Sequence, residues 1–395
     1  MRLWTPFQPR LNRLSGQKAI LLSATLLGML ACLPLWLNSR DYPLLPVVPI
    51  FPVLASPLDR WLLGSVLLSL VVAFKWYRSA ILYFLAATLF LYLGDQNRGQ
   101  PWLYMYWLML GLTLLPDATA LAACRIIFSA VYVYGGIHKC NADYFHVIPD
   151  WFVSPATAWG LPTIVVQLFR LAVASAPATE ILVGLLLWVK GWRWIALAVV
   201  VLLHGAALLF LGPLGHKYNW VVWPWNLAMV ALAFTLFGTS AKISLATTTA
   251  ALRQSKLAVT VVSLVWLLPI LNFVGWWDSY FSFSLYSMRQ AKADIYMSEG
   301  LKNQLPPRLS HFVREVRPAY DPAYQAPYLF DYTGWSLAEL GAPGLTEPRA
   351  YRSVFRYLNG YAASPNELHM ILAPCWGPAL FCRGDDIRPL MPTGP

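Results

Sequence analysis

Charge is scarce in this 395-residue chain. Asp, Glu, Lys and Arg together make up 12% of it, about half the share found in a soluble domain. Hydrophobic residues make up 58%, and the mean hydropathy is +0.53. That balance excludes an ordinary soluble fold and predicts a polytopic membrane protein whose first partner is the lipid bilayer. Cysteine is sparse too, with five residues. No CxxC and no Cys/His metal spacing occurs, so no metal is expected. Cys32, Cys124 and Cys140 lie in or beside apolar runs and read as packing. Cys375 and Cys382 stand in APCWGPALFC, and two Cys in a short Gly-Pro loop are a disulfide candidate if that part faces an oxidising space. There is no nucleic-acid motif, no internal repeat and no low-complexity segment.

The formal charge of +11 is unevenly spread. Residues 1–277 hold 18 Lys and Arg against 7 Asp and Glu, whereas residues 278–395 hold 11 of each. The excess therefore belongs to the apolar part, where it fits cytoplasmic anchoring, and the break near 278 marks a domain boundary. Residues 1–17 carry Arg2, Arg10 and Arg13 without a small-residue cleavage site, and are expected as a cytoplasmic N-terminal segment. Apolar runs predict spans near 18–37, 60–74, 79–94, 101–116, 119–137, 163–189, 192–211, 220–238 and 257–277. Eight to nine spans make an all-α helix bundle over 18–277. Nine put the N-terminus inside and the tail outside. Eleven Lys and Arg then fall on inner segments and five on outer ones, the direction that the positive-inside rule requires. The tail, 278–395, predicts a small extracytoplasmic α+β domain, with strands at Ala291–Met297 and Leu368–Ala373 and helices at Leu301–Val316 and Glu347–Gly360.

Tyr132 to Tyr144, YVYGGIHKCNADY, crowds more reactive groups beside an apolar segment than any other stretch of the apolar part. A lysine ending a membrane helix either snorkels to the headgroups or serves as a base held neutral by apolar walls. The run Gly136-Ile137-His138-Lys139-Cys140-Asn141-Ala142-Asp143-Tyr144 resembles a segment of the vitamin K-dependent gamma-carboxylases and of their bacterial relatives, the HTTM (horizontally transferred transmembrane) domain proteins. The resemblance covers about residues 15–285, with only this nonapeptide specific. His138 stands where the family often has a second lysine, and Asn141 where it has an acid. The resemblance implies an enzyme of the bacterial plasma membrane that uses a reduced quinone, a vitamin K-like naphthoquinol. The residue matching Lys139 removes a phenolic proton, and oxygen then turns the quinol into a strongly basic species that acts on a second substrate.

Arg125, Arg170, Glu180 and His204 interrupt other apolar runs. Each is costly in lipid and is expected to face the bundle interior. Counting about 1.5 Å of rise per residue from the inner ends of straight spans puts Glu180 roughly 14 Å up, His204 roughly 18 Å and Lys139 about 30 Å, at the outer mouth. Glu180 and His204 could then meet and, with Lys139, form a polar channel. Equally, Glu180 could be neutralised by Arg125, Arg170 or His204 to hold the bundle together. Arg125 and Lys139, fourteen apart, would share a helix face, as would Asn219 and Asn226, seven apart. The catalytic candidates are thus Lys139, His204 and Glu180. The quinone-binding candidates are His138, Asp143, Arg125, Asn219, Asn226 and Trp223. His216 and Lys217 could frame a headgroup or be solvated loop residues, and the aromatics of Trp276–Phe283 could line a site or form an interfacial belt. The alternative function is a non-enzymatic quinone-, lipid- or partner-binding bundle of the DoxX kind, with Lys139 as a headgroup clamp. A transporter lacks support, since no pair of broken segments is evident.

Overall fold

Uninterrupted apolar runs fold as helices because each backbone N–H and C=O is then satisfied inside its own segment, as a bilayer demands. The computed structural model describes residues 13–238, 243–316, 327–373 and 388–390. The apolar part contributes α1 (Arg13–Ala31), α2 (Leu58–Val72), α3 (Tyr77–Gly94), α4 (Pro101–Leu112), α5 (Asp117–Lys139), α6 (Ala142–Ala158), α7 (Thr163–Ala174), α8 (Ala176–Leu186), α9 (Arg193–Leu211), α10 (Val222–Phe237), α11 (Leu245–Leu252) and α12 (Lys256–Leu271).

Among the described residues five helices are long and apolar enough to cross a membrane, or six if the bent pair α7–α8 is one span. This is a multi-pass membrane protein with fewer spans than the eight or nine expected. The physical reason is length. Apolar runs at 60–74, 101–116 and 220–238 do form helices, but α2, α4 and α10 rise only about 22, 18 and 24 Å, short of a roughly 30 Å hydrocarbon core.

Helix α5 is the centre of the bundle, with 78% of its most apolar window buried. Helix α8 lies along it, and glycines set the closeness of the approach. A Cβ on Gly184 would stand 2.7 Å from Val133 Cγ2, and one on Gly136 would stand 2.7 Å from Ile181 Cγ1. Small residues that let backbones approach are the usual packing device between helices in lipid. Helices α7 and α8 are bent by 55° at Ser175, with Pro177 in the first turn of α8.

Helices α5 and α8 do not end level with each other, and this corrects the depth count. Trp188 Nε1 donates to Ser129 Oγ at 2.8 Å, so the C-terminal end of α8 is level with the middle of α5 rather than with its start. Glu180, two turns further along α8, is thereby carried up to Lys139. Helix α6 was not expected, because its internal Pro149 and Pro155 mark a helix breaker in sequence. Asn141 starts it by accepting the Tyr144 N–H at 2.9 Å, a standard N-cap.

Among the described residues the tail folds as a five-stranded antiparallel sheet with four α-helices. Its strands are β1 (Lys292–Met297), β2 (Val313–Glu315), β3 (Tyr328–Phe330), β4 (Leu368–Ala373) and β5 (Arg388–Leu390), in the order β2-β3-β1-β4-β5. Its helices are α13 (Glu299–Gln304), α14 (Pro307–Ser310), α15 (Tyr332–Leu340) and α16 (Pro348–Asn359). The single helix expected over 301–316 is replaced by α13, α14 and β2, because Pro306 and Pro307 interrupt it. Cys375 and Cys382 lie outside the described residues.

The tail docks on the end of the bundle where α1 finishes. Tyr42 Oη hydrogen-bonds Tyr332 Oη at 2.9 Å, and Gln100 Nε2 donates to Pro343 O at 3.1 Å. Arg349, which grips Asp278 at the start of the tail through both terminal guanidinium nitrogens, donates from Nε to Gln96 Oε1 of the bundle at 2.7 Å. The start of α1 therefore lies at the opposite end of the bundle from the tail.

Candidate functional site

A cavity of about 1200 Å³ lies between α5, α6, α7, α8, α9 and α10, with residues of the tail as its roof. Its walls are mostly apolar and aromatic, and its polar groups come from few places. Lys139, Glu180, His204, Asn219 and Asn226 all line it. The cavity is open on one side. Val201, Leu202 and Gly205 of α9 line it and are also exposed, Leu202 by 71%, so the cavity reaches the exposed face of a helix long and apolar enough to cross a membrane.

Lys139 ends α5 and is buried. Its ammonium folds back one turn to donate to Gly135 O at 3.1 Å and pairs with Glu180 Oε2 at 2.7 Å. The side chains of the two partners are 9% and 18% exposed. The glycine at 135 is what admits this pair, since a Cβ there would stand 2.9 Å from Glu180 Oε2. Two of the three ammonium protons are accounted for by these acceptors, and the third position is available to the cavity.

Two turns back along the same face of α5, Tyr132 Oη meets His204 Nε2 at 2.6 Å, and His204 Nδ1 meets Asn226 Oδ1 at 2.6 Å. Asn226 Nδ2 donates to Val222 O at 2.6 Å. That bond fixes the amide, so its oxygen faces the imidazole. Nδ1 must then carry the proton, and Nε2 accepts from the Tyr132 hydroxyl. Glu180 and His204 do not contact each other. Glu180 pairs with Lys139, and His204 pairs with Tyr132 and Asn226.

Most of the other expected site residues sit away from the cavity. His138 is fully buried and stacks on Phe273 with ring centroids 5.0 Å apart, away from the cavity. Asp143 pairs with Lys292 of the tail at 2.6 Å. Arg125 donates from Nε to Leu236 O at 2.8 Å near the end of α10, and neither reaches Glu180 nor lines the cavity. Arg170 pairs with Asp150 at 2.5 Å on the exposed side. Trp223 is exposed and does not line the cavity. Asn219 lies before α10 and accepts the Val222 N–H at 3.2 Å, so it shares no helix face with Asn226. His216 stacks behind Trp151, with centroids 4.3 Å apart.

The nonapeptide has a second role. Asn141 Nδ2 donates to Ser287 O at 2.7 Å, which, with the Asp143–Lys292 pair, ties the end of α5 to the segment 283–292. Phe283, Tyr286 and Met288 of that segment line the cavity, and all three hold the left-handed region with φ of 56°, 49° and 58°. Non-glycine residues in that region cost energy and persist where the surroundings impose them.

No family model matches this chain, and no curated protein or solved structure matches it either. Among the described residues no group of three or more His, Cys, Asp or Glu side chains could hold a metal ion.

Sequence reasoning missed Tyr132, Trp151 and Tyr286 as cavity residues. Tyr132 had a usable signal. It stands seven residues before Lys139, two turns away on the same face of α5.

Proposed function

We propose that the chain is a membrane enzyme of the HTTM and gamma-carboxylase kind, taking a reduced quinone from the bilayer with Lys139 as base. One observation carries this proposal: the Lys139–Glu180 pair faces an aromatic cavity that reaches the exposed face of the apolar helix α9. The walls fit such a molecule, being apolar for a ring and a hydrocarbon tail with polar groups confined to a few points. A bound reduced quinone would supply the electrons, and oxygen would accept them.

The chain's own residues supply the proton transfer. Lys139 Nζ is positioned to take a proton from a phenolic hydroxyl as it passes one of its own to Glu180 Oε2. The phenolic O–H breaks, an O–H on Glu180 forms, and the ammonium remains to face the new anion. Burial of the pair strengthens each of these interactions relative to water. Glu180 thus acts as the place where the proton is held. We further place the N-terminus in the cytoplasm and the tail outside a bacterial plasma membrane, on the strength of the eleven-to-five bias of basic residues.

The test is oxygen uptake by the lipid-reconstituted protein supplied with a reduced naphthoquinone. Wild-type uptake that disappears in both Lys139→Ala and Lys139→Arg supports the proposal, because a guanidinium stays charged and cannot relay the proton. If there is no uptake while all three proteins bind the quinone equally, catalysis is ruled out and a binding module remains.

A further inference from the structure

We infer that Tyr132, with His204 and Asn226 behind it, forms a second proton-accepting centre in the same cavity, and that the two centres select a ring bearing two opposed hydroxyls. The inference rests on the quinol reading above and adds a residue and a selection rule to it. Tyr132, His204 and Asn226 all line the cavity. Their bonds run in one direction: Tyr132 O–H to Nε2, Nδ1–H to Asn226 Oδ1, and Asn226 Nδ2–H to Val222 O. A hydroxyl arriving at Tyr132 can give its proton to the phenol oxygen while the phenol proton moves to His204 Nε2. The substrate O–H breaks, an N–H forms on the imidazole, and the imidazolium is held by Asn226 Oδ1.

The spacing fits a single ring. Tyr132 and Lys139 lie on one face of α5, and the Lys139 ammonium folds back to the Gly135 carbonyl. That leaves the two centres one to two turns apart, roughly 5–10 Å along the helix. This is the span of one aromatic ring hydrogen-bonded at both para oxygens. A structural role alone, as glue between α5, α9 and α10, would account for the bonds among the three residues. It would not require them to face the cavity beside the Lys139–Glu180 pair.

The test is equilibrium binding to the full chain in lipid nanodiscs, followed by quenching of tryptophan fluorescence. The probes are 2-methyl-1,4-naphthohydroquinone, kept reduced under nitrogen, and its monomethyl ether. Wild type is expected to prefer the diol by about tenfold, the scale of one hydrogen bond. Tyr132→Phe and His204→Gln are expected to bind the ether as wild type does and to lose the preference. If one variant fails to fold, the other carries the test. A preference that persists in the variants, or that is absent from wild type, overturns this inference and leaves the Lys139 proposal standing. Failure of wild type to bind either compound overturns both.

Discussion

Gly135 lies directly beneath the carboxylate of Glu180: a Cβ on it would stand 2.9 Å from Oε2. Gly135→Ala must therefore push Glu180 off Lys139, since the glycine sits inside a helix and the added methyl has no other place to go. We expect quinol-dependent oxygen uptake to fall on the order of 10–100-fold, the usual cost of a small misplacement at a reacting centre. A thermal unfolding midpoint within a few degrees of wild type would show that the loss is local.

Removing one member of a buried ion pair leaves the other charge without a partner. Lys139→Ala is expected to destabilise the protein by roughly 3–5 kcal/mol. Adding Glu180→Gln should recover at least half of that, because the stranded charge is then gone. Thermal unfolding of the two variants checks this, and equal midpoints would mean that the stranded Glu180 charge costs nothing.

Gly205 lines the cavity and has open space around it, with nothing within 4 Å of where a Cβ would stand. Gly205→Leu should leave stability nearly unchanged, within about 0.5 kcal/mol. It should slow quinol binding measured by stopped-flow fluorescence. An unchanged rate would place the entrance elsewhere.

The stability of the tail is expected to respond to pH. Glu347 accepts the Ser279 backbone N–H at 2.6 Å. Burial, followed by the nearby charge of Asp278, pushes its carboxyl from 4.5 up to about 7, against the opposing pull of the Ser279 N–H and Arg349. The native state therefore binds more protons than the unfolded state between pH 4.5 and 7. Stability should fall as pH rises through that window and level off above it. In Glu347→Gln the slope should flatten, as followed by the thermal midpoint from pH 5 to 8.

How much was legible from sequence depended on whether a feature was local. Lys139, Glu180 and His204 stand out as polar groups in apolar runs, and all three reach the cavity. Their partners were not legible. The depth count took the spans to end level, while Trp188 at the end of α8 meets Ser129 in the middle of α5, which brings Glu180 up to Lys139. Arg125 was visible as a charge, but it donates to a backbone carbonyl of α10, which no residue pattern announces. In the tail, the alternating runs gave β1, β4 and α16 close to their observed limits. The Pro306-Pro307 pair divided the remaining helix in a way that a hydrophobic period does not register.

The two outer strands of the tail sheet bear on how many copies can share a membrane. Molecules anchored in one bilayer stand upright in a common orientation, so sheet rims on neighbouring copies meet at the same height far more often than in free solution. Here one rim is β2, which carries the exposed Arg314 and Glu315. The other is β5, where Pro389 pairs with Ile371 and offers no N–H outward. Charge on one side and a missing donor on the other are the devices by which sheets resist growing strand by strand, and they leave crowded neighbours able to collide without zipping together.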